Sequence, residues 1–288
     1  MLSLLRWLSR RPLWFLHALG ALTGWAAWLL SPSYRNRFNA QAAQAGVGAA
    51  ARRAAVAHAG RMVAELPWLW LRPHDTPLQA RIEWHGQAHL EAAHAQGRGV
   101  VLMTPHLGCF EVAAQAYAQA FAASLAPITV LFRPARQRWL RELIDAVRQR
   151  PGLVTAPASL AGVRQMIRAL RRGETVGLLP DQVPPEGMGV WAPFFGRPAY
   201  TMTLAARLVQ QTGAVPLLIW GERLPRGAGY AVRVSRFGEA LPDDAGRHAE
   251  SAAAVNRALE RLILQCPQQY LWGYHRYKQP RAVAARFD

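Results

Sequence analysis

Past residue 80 the chain alternates short apolar runs with stretches of helical periodicity. The runs are Val100 to Met103, Ile128 to Phe132, Thr175 to Leu179 and Val215 to Trp220. Helical patterns cover Glu111 to Ser124, Arg136 to Arg148, Leu160 to Arg172 and Met202 to Thr212. Runs without polar alternation read as strands buried on both faces. Their alternation with helices predicts an α/β fold with a mixed, largely parallel central sheet flanked by helices. Tyr230 to Phe237 alternates at period two and predicts a half-exposed strand suited to antiparallel pairing, and a last amphipathic helix is expected from about His248 to Gln265.

The N-terminal pattern is different. Leu13 to Leu30 is nearly uncharged, and eighteen helical residues at ~1.5 Å each span about 27 Å, close to a bilayer core. No small-residue cleavage site follows it, so a retained anchor is expected rather than a removed signal. Arg6, Arg10 and Arg11 precede it and Arg35 and Arg37 follow. Basic residues at both ends choose no orientation, and a helix lying in the interface stays open beside one that crosses. Ala49 to Leu66 is Ala-rich and helical, with Arg52, Arg53, His58 and Arg61 as its polar members and Pro67 as its stop. The aromatic knot Trp68-Leu69-Trp70-Leu71 after it is expected to pack as core, with contact to lipid as the alternative.

Composition adds a size and a sign. In 288 residues, 51% hydrophobic, there is material for one large core behind a membrane segment. The expected division is an N-terminal membrane anchor, residues 1–35, and one catalytic domain, residues 36–288. The net charge of +17 predicts an anionic partner: nucleic acid, an anionic membrane surface or an acidic carrier protein. Cys109 and Cys266 are far apart, make no metal-type spacing and suit a reduced setting.

The candidate chemistry sits where strands end. Thr104-Pro105-His106-Leu107-Gly108-Cys109-Phe110-Glu111 follows the first buried run and opens a helix. In an open parallel sheet, strand carboxyl ends face the crevice and helix N-termini offer free N–H groups. Within one helix the His106–Glu111 step would set the two residues roughly 140° apart. The histidine is therefore expected in the turn before the helix, where the carboxylate can fix its tautomer and stabilise the imidazolium of a general base. Cys109 beside it invites a thiol-nucleophile reading, but its apolar neighbours fit a buried, inert cysteine. Arg133 follows the second run, and Arg148 ends the next helical stretch. Their guanidinium groups can hold phosphates or a developing oxyanion, or serve as solvated surface. Asp181 closes the third run, before an apolar, Pro- and Gly-rich loop, Val183 to Ala199. Such a loop covers something greasy or packs as core.

Taken together, His106 with Glu111, Phe132-Arg133-Pro134, Gly173-Glu174, Asp181-Gln182 and Pro193-Phe194-Phe195-Gly196 with Thr201 resemble the lipid A biosynthesis acyltransferases. These are the lauroyl/myristoyl transferases of the lysophospholipid acyltransferase superfamily. The resemblance implies transfer of a fatty acyl chain from acyl carrier protein to a hydroxyl of a lipid A precursor, at the cytoplasmic face of the inner membrane. It implies His106 and Glu111 as the general-base pair, Arg148 and Asp181 as substrate-binding residues and Arg133 at phosphate or phosphopantetheine. It implies no metal and no cofactor beyond the acyl-carrier co-substrate. The positive charge then serves the carrier protein and an anionic membrane surface, with no nucleic acid partner. Other acceptors, lysophosphatidate or an amino-acid lipid, stay open, as does a Cys109/His106 thioesterase. Gln268, Tyr274 and His275 depart from the family's C-terminal pattern, which puts an acceptor contact there in doubt.

Overall fold

The computed structural model describes residues 2–72, 76–78, 81–132 and 150–281. The helical stretch expected over Arg136 to Arg148, with Arg133, lies outside them. Seven strands form one sheet in the order β1(Ile82–His85), β9(Tyr230–Arg236), β8(Val215–Arg223), β2(Val100–Met103), β5(Thr175–Leu178), β3(Ile128–Phe132), β4(Leu153–Pro157). From β8 to β4 all neighbours are parallel; β9 pairs antiparallel with β8, and β1 is parallel to β9. The α/β reading with a mixed, largely parallel sheet holds.

Successive strand residues point to opposite faces, so each central strand feeds two cores. Val101, Met103, Val176, Leu178, Leu218 and Trp220 share one core with α8(Leu160–Arg171), α9(Leu204–Thr212) and α10(His248–Gln265). Val100, Leu102, Leu217, Ile219 and Val232 face the other, against α7(Phe110–Phe121) and α6(Gln87–His94). The antiparallel pairing expected for Tyr230 to Phe237 is present, but the strand is mostly buried rather than half-exposed. With β1 beyond it, β9 is an interior strand.

Four strands escaped the pattern: β1, β4 and the two of a ribbon inside the apolar loop. There β6(Gly189–Phe194) pairs antiparallel with β7(Arg197–Met202) across Phe195-Gly196, both at positive φ. That is the backbone of a two-residue hairpin turn. Pro193 and Pro198 lie opposite each other, and prolines in a run argue against a strand when read singly.

At the N-terminus follow α1(Leu2–Ser9), α2(Leu13–Leu30), α3(Pro32–Gln44), α4(Ala49–Ala64) and α5(Leu66–Trp70). Helix α2 is the apolar segment, and it is seated on the body. Gly20 and Gly24 meet Gly60 of α4 so closely that a Cβ at Gly60 would fall 1.9 Å from the Gly20 carbonyl oxygen. His17 Nε2 lies 3.2 Å from Glu65 Oε2 between α4 and α5. Glu65 is fully buried and forks onto Arg223 at the end of β8, with contacts of 2.8–2.9 Å. Burial alone would raise the Glu65 carboxyl; Arg223 and the His17 hydrogen bond hold it below the usual carboxylate range.

His58 of α4 sits near this cluster. Burial first, then Arg223 and Arg61, push its pKa from the ordinary 6.5 down to about 3. Below pH ~6.5 the unfolded chain therefore takes a proton that the folded one refuses, so stability falls as pH falls, by at most about 1.4 kcal/mol per pH unit. Glu65 adds a second loss at lower pH, as its carboxylate is protonated. The melting temperature is expected to drop steadily from pH 7 to pH 4.5, and His58→Gln to flatten that stretch. An equally steep profile in the variant would remove His58 as the cause.

Candidate active site

Strands β2 and β5 are neighbours in register, with Met103 opposite Leu178. Thr104 N–H donates to the Leu178 carbonyl at 3.1 Å, extending the pairing one step past β2. Three residues beyond each strand end stand His106 and Asp181. Asp181 is 2% exposed, and both its oxygens engage the histidine. Oδ1 lies 2.7 Å from His106 Nδ1, and Oδ2 accepts the His106 backbone N–H at 2.8 Å. Burial would raise this carboxyl, but the charge and hydrogen bonds of His106, with Arg276 behind, hold it below its usual value.

A carboxylate at Nδ1 keeps the proton on that nitrogen, so Nε2 carries the lone pair. Gln182 Nε2 stands 3.0 Å from it and donates its amide hydrogen. The sequence gives the task of fixing the tautomer to Glu111 and substrate binding to Asp181. The geometry hands that task to Asp181, because strand register carries it to Nδ1, and its burial and its bonds to His106 turn it away from substrate. Glu111 is in the first turn of α7 and lines the same cavity as His106. Arg133 and Arg148 are outside the described residues.

The turn bearing His106 is clamped from three sides. Gly108 N–H donates to the Gln269 carbonyl at 3.0 Å, and Leu271 N–H to the His106 carbonyl at 3.1 Å, so the C-terminal segment pairs with the turn like a short strand. Arg223 Nη2 donates to the Gly108 carbonyl at 2.6 Å while its other nitrogens hold Glu65 and Gln269. Gly108 itself has φ +59, and a Cβ there would lie 2.0 Å from the Gly221 carbonyl oxygen; no larger residue fits. Tyr274, one of the departures from the family pattern, accepts the Val183 N–H at 2.9 Å and so steadies the segment carrying Gln182.

His106 and Gln182 both line a cavity of about 450 Å³. Phe110, Val130, Leu131, Phe132, Leu179 and Val183 supply part of its apolar wall, with Trp70, Pro184, Pro185 and Met188 at other points. The first half of the loop after Asp181 walls the cavity, and its ribbon packs Phe194 into the core, the core-packed alternative. Trp70 of the aromatic knot lines the cavity, while Leu69 beside it is buried as expected.

Cys109 is 2% exposed, and burial pushes its thiol well above the usual value. Such a group is inert at neutral pH. Among the described residues no three His, Cys, Asp or Glu side chains converge to hold a metal ion.

A carboxylate-held imidazole beside an apolar cavity is the equipment for taking a proton from a hydroxyl next to a lipid chain. Comparison with known proteins agrees: the family model for bacterial lipid A biosynthesis acyltransferases matches residues 42–279. The chain belongs to that family. It is 28% identical over 235 residues to the lipid A biosynthesis lauroyltransferase of Escherichia coli (strain K12), covering 79% of this chain and 71% of the relative. The lipid A biosynthesis palmitoleoyltransferase of the same organism is 25% identical over 222 residues, 76% of this chain and 68% of its own length. A lipid A biosynthesis acyltransferase of Haemophilus influenzae (strain ATCC 51907 / DSM 11121 / KW20 / Rd) is 27% identical over 196 residues, 68% of this chain and 58% of that one. This lipid A acyltransferase thus carries its candidate base between β2 and α7. Sequence reasoning reached His106 and Glu111 but missed Gln182 as a contact of the imidazole, and the Glu65–Arg223 pair altogether. Gln182 had a signal, since it follows Asp181 at a strand end. Glu65 had none, being one acid at the end of an Ala-rich helix.

Proposed function

We propose that this acyltransferase moves a fatty acyl chain from acyl carrier protein to a hydroxyl of a lipid A precursor, at the cytoplasmic face of the inner membrane, with His106 as general base. The observation that carries the reading is the Asp181–His106 pair with His106 and Gln182 lining an apolar cavity. The acceptor hydroxyl takes the place of the Gln182 amide at Nε2 and gives its proton to that nitrogen. Its oxygen bonds to the thioester carbonyl carbon, the C–S bond breaks, and the imidazolium returns the proton to the departing thiolate. No acyl-enzyme forms. Asp181 stabilises the imidazolium, and Glu111 on the cavity wall adds negative charge near it. The N-terminus of α7, the positive end of the helix dipole, supports charge on the carbonyl oxygen. Arg133 and Arg148 are assigned to the anionic parts of donor and acceptor. Basic surface steers the acidic carrier protein.

The test is a transfer assay in detergent with acyl carrier protein bearing ten-, twelve- and fourteen-carbon and palmitoleoyl chains, and a tetra-acylated, Kdo-bearing lipid A precursor, read by mass spectrometry. The precursor is expected to gain one acyl group. Glu111→Ala is expected to lower turnover about 10²-fold or more, and Cys109→Ala to leave it within a few fold. Release of free fatty acid with no acylated lipid, lost in Cys109→Ala, would instead establish a thioesterase. An untouched donor would move the search to other acceptors.

A further inference from the structure

Resting on that membrane-acting reading, we infer that α2 does not cross the bilayer: it lies along the surface of one leaflet, with α1, and seats the enzyme on anionic lipid. The helix is long and apolar enough to span, but one face is committed to the body along its whole length. At its start the backbone of Trp14 abuts Gly227, where a Cβ would lie 2.3 Å from the Trp14 nitrogen. Next, His17 is tied to Glu65, and Arg61 Nε donates to the His17 carbonyl at 3.3 Å. Midway, Gly20 and Gly24 touch Gly60. At its end Trp25 and Trp28 pack against the core that holds Phe38, Ala55 and Val56.

A helix so docked cannot enter the hydrocarbon alone. Running along the membrane normal, it would draw in α4, which carries Arg52, Arg53 and Arg61, together with the loops at both its ends; charged side chains at that depth are strongly disfavoured. Peeling α2 off instead would open the fully buried Glu65–Arg223 pair.

The other face of α2 is bare and uncharged. Trp14, Ala18, Leu22, Ala26 and Leu29 recur every three or four residues and form one stripe; Leu22 is 70% and Leu30 83% exposed. Leu4 and Trp7 of α1 add to the exposed apolar surface. Both ends of the stripe carry the same chemistry, arginine beside tryptophan. Arg11 lies 4.6 Å from the Trp7 ring and Arg35 5.4 Å from the Trp28 ring, with Arg6 and Arg10 exposed nearby. A spanning helix is normally basic on one side. Basic, aromatic flanks at both ends place both at headgroup depth, with the stripe between them among the acyl chains.

Single-cysteine variants flanking α2, Ser9→Cys and Ser33→Cys, test this in the full chain, since Cys109 and Cys266 are buried. With a membrane-impermeant maleimide, both positions are expected to react in inverted inner-membrane vesicles and neither in spheroplasts. Reaction of either one in spheroplasts means that α2 crosses, and overturns the inference while leaving the acyltransferase reading intact. Recovery of the protein in the soluble fraction overturns the membrane surface itself. For the purified enzyme, Leu22→Asp is expected to weaken partitioning onto phosphatidylglycerol-containing vesicles tenfold or more, with melting temperature and turnover in detergent unchanged. Undiminished partitioning excludes the stripe as the docking face.

Discussion

Asp181→Asn is expected to leave the protein folded and to lower turnover roughly 10³–10⁴-fold, the loss that follows when a histidine base is held in the wrong tautomer. Asp181 accepts two hydrogens from the same residue, the backbone N–H and Nδ1–H of His106. A carboxamide has one acceptor oxygen. If it serves the backbone, its NH₂ points at Nδ1, which must then be bare, and the proton moves to Nε2 where the hydroxyl has to be deprotonated. If it serves Nδ1, two N–H groups collide at the backbone. Either way the base is lost or displaced, while the side-chain volume is kept. Turnover with saturating acyl donor and acceptor checks this, together with a melting curve. Activity within tenfold of the parent would remove Asp181 from the chemistry and return the orienting role to Glu111.

Arg223→Met is expected to cost the fold about 3–5 kcal/mol, because it strands a fully buried carboxylate. Among the described residues Glu65 would keep His17, Tyr230 and the Cys109 thiol as polar neighbours, and the Gly108 carbonyl in the catalytic turn would lose its 2.6 Å donor. Adding Glu65→Gln should recover a good part of the loss, since the uncompensated buried carboxylate is gone. Chemical denaturation of the two single variants and the double variant gives the coupling directly. If the double variant is as unstable as the sum of the singles, the pair contributes no mutual stabilisation and the clamp on the turn rests on the C-terminal segment alone. A double variant that refolds yet stays slow would show that the arginine also sets the position of His106.

Most of the sheet was legible because its signal is local. Val100 to Met103, Ile128 to Phe132, Thr175 to Leu178 and the start of β8 are mainly apolar runs without period-two alternation, as strands covered on both faces are. Helix α10 was legible over its whole length, His248–Gln265, from its 3.6-residue period. The ribbon β6–β7 was not, since its prolines and glycines argue against a strand until Pro193 is seen opposite Pro198 and Gly196 at positive φ in the turn. The burial of β9 was hidden for another reason: alternation reveals one packed face, and only the arrival of β1 turns an edge into an interior strand.

For the site, the residues alone were enough to locate His106 at the mouth of a helix after a buried strand, and to mark Glu111 and Asp181 as acids at strand or helix ends. They were enough to show that Leu13 to Leu30 is apolar. They could not say which acid meets the imidazole, because that depends on β5 lying next to β2, ahead of β3 which precedes it in the chain. Strand order is a non-local property, set by how crossovers stack helices on two faces, and no pattern within a strand encodes its neighbour. The same limit applies to α2. Its composition describes what it can dissolve in; only Gly60 of α4 and the buried Glu65, far along the chain, decide that one of its faces belongs to protein.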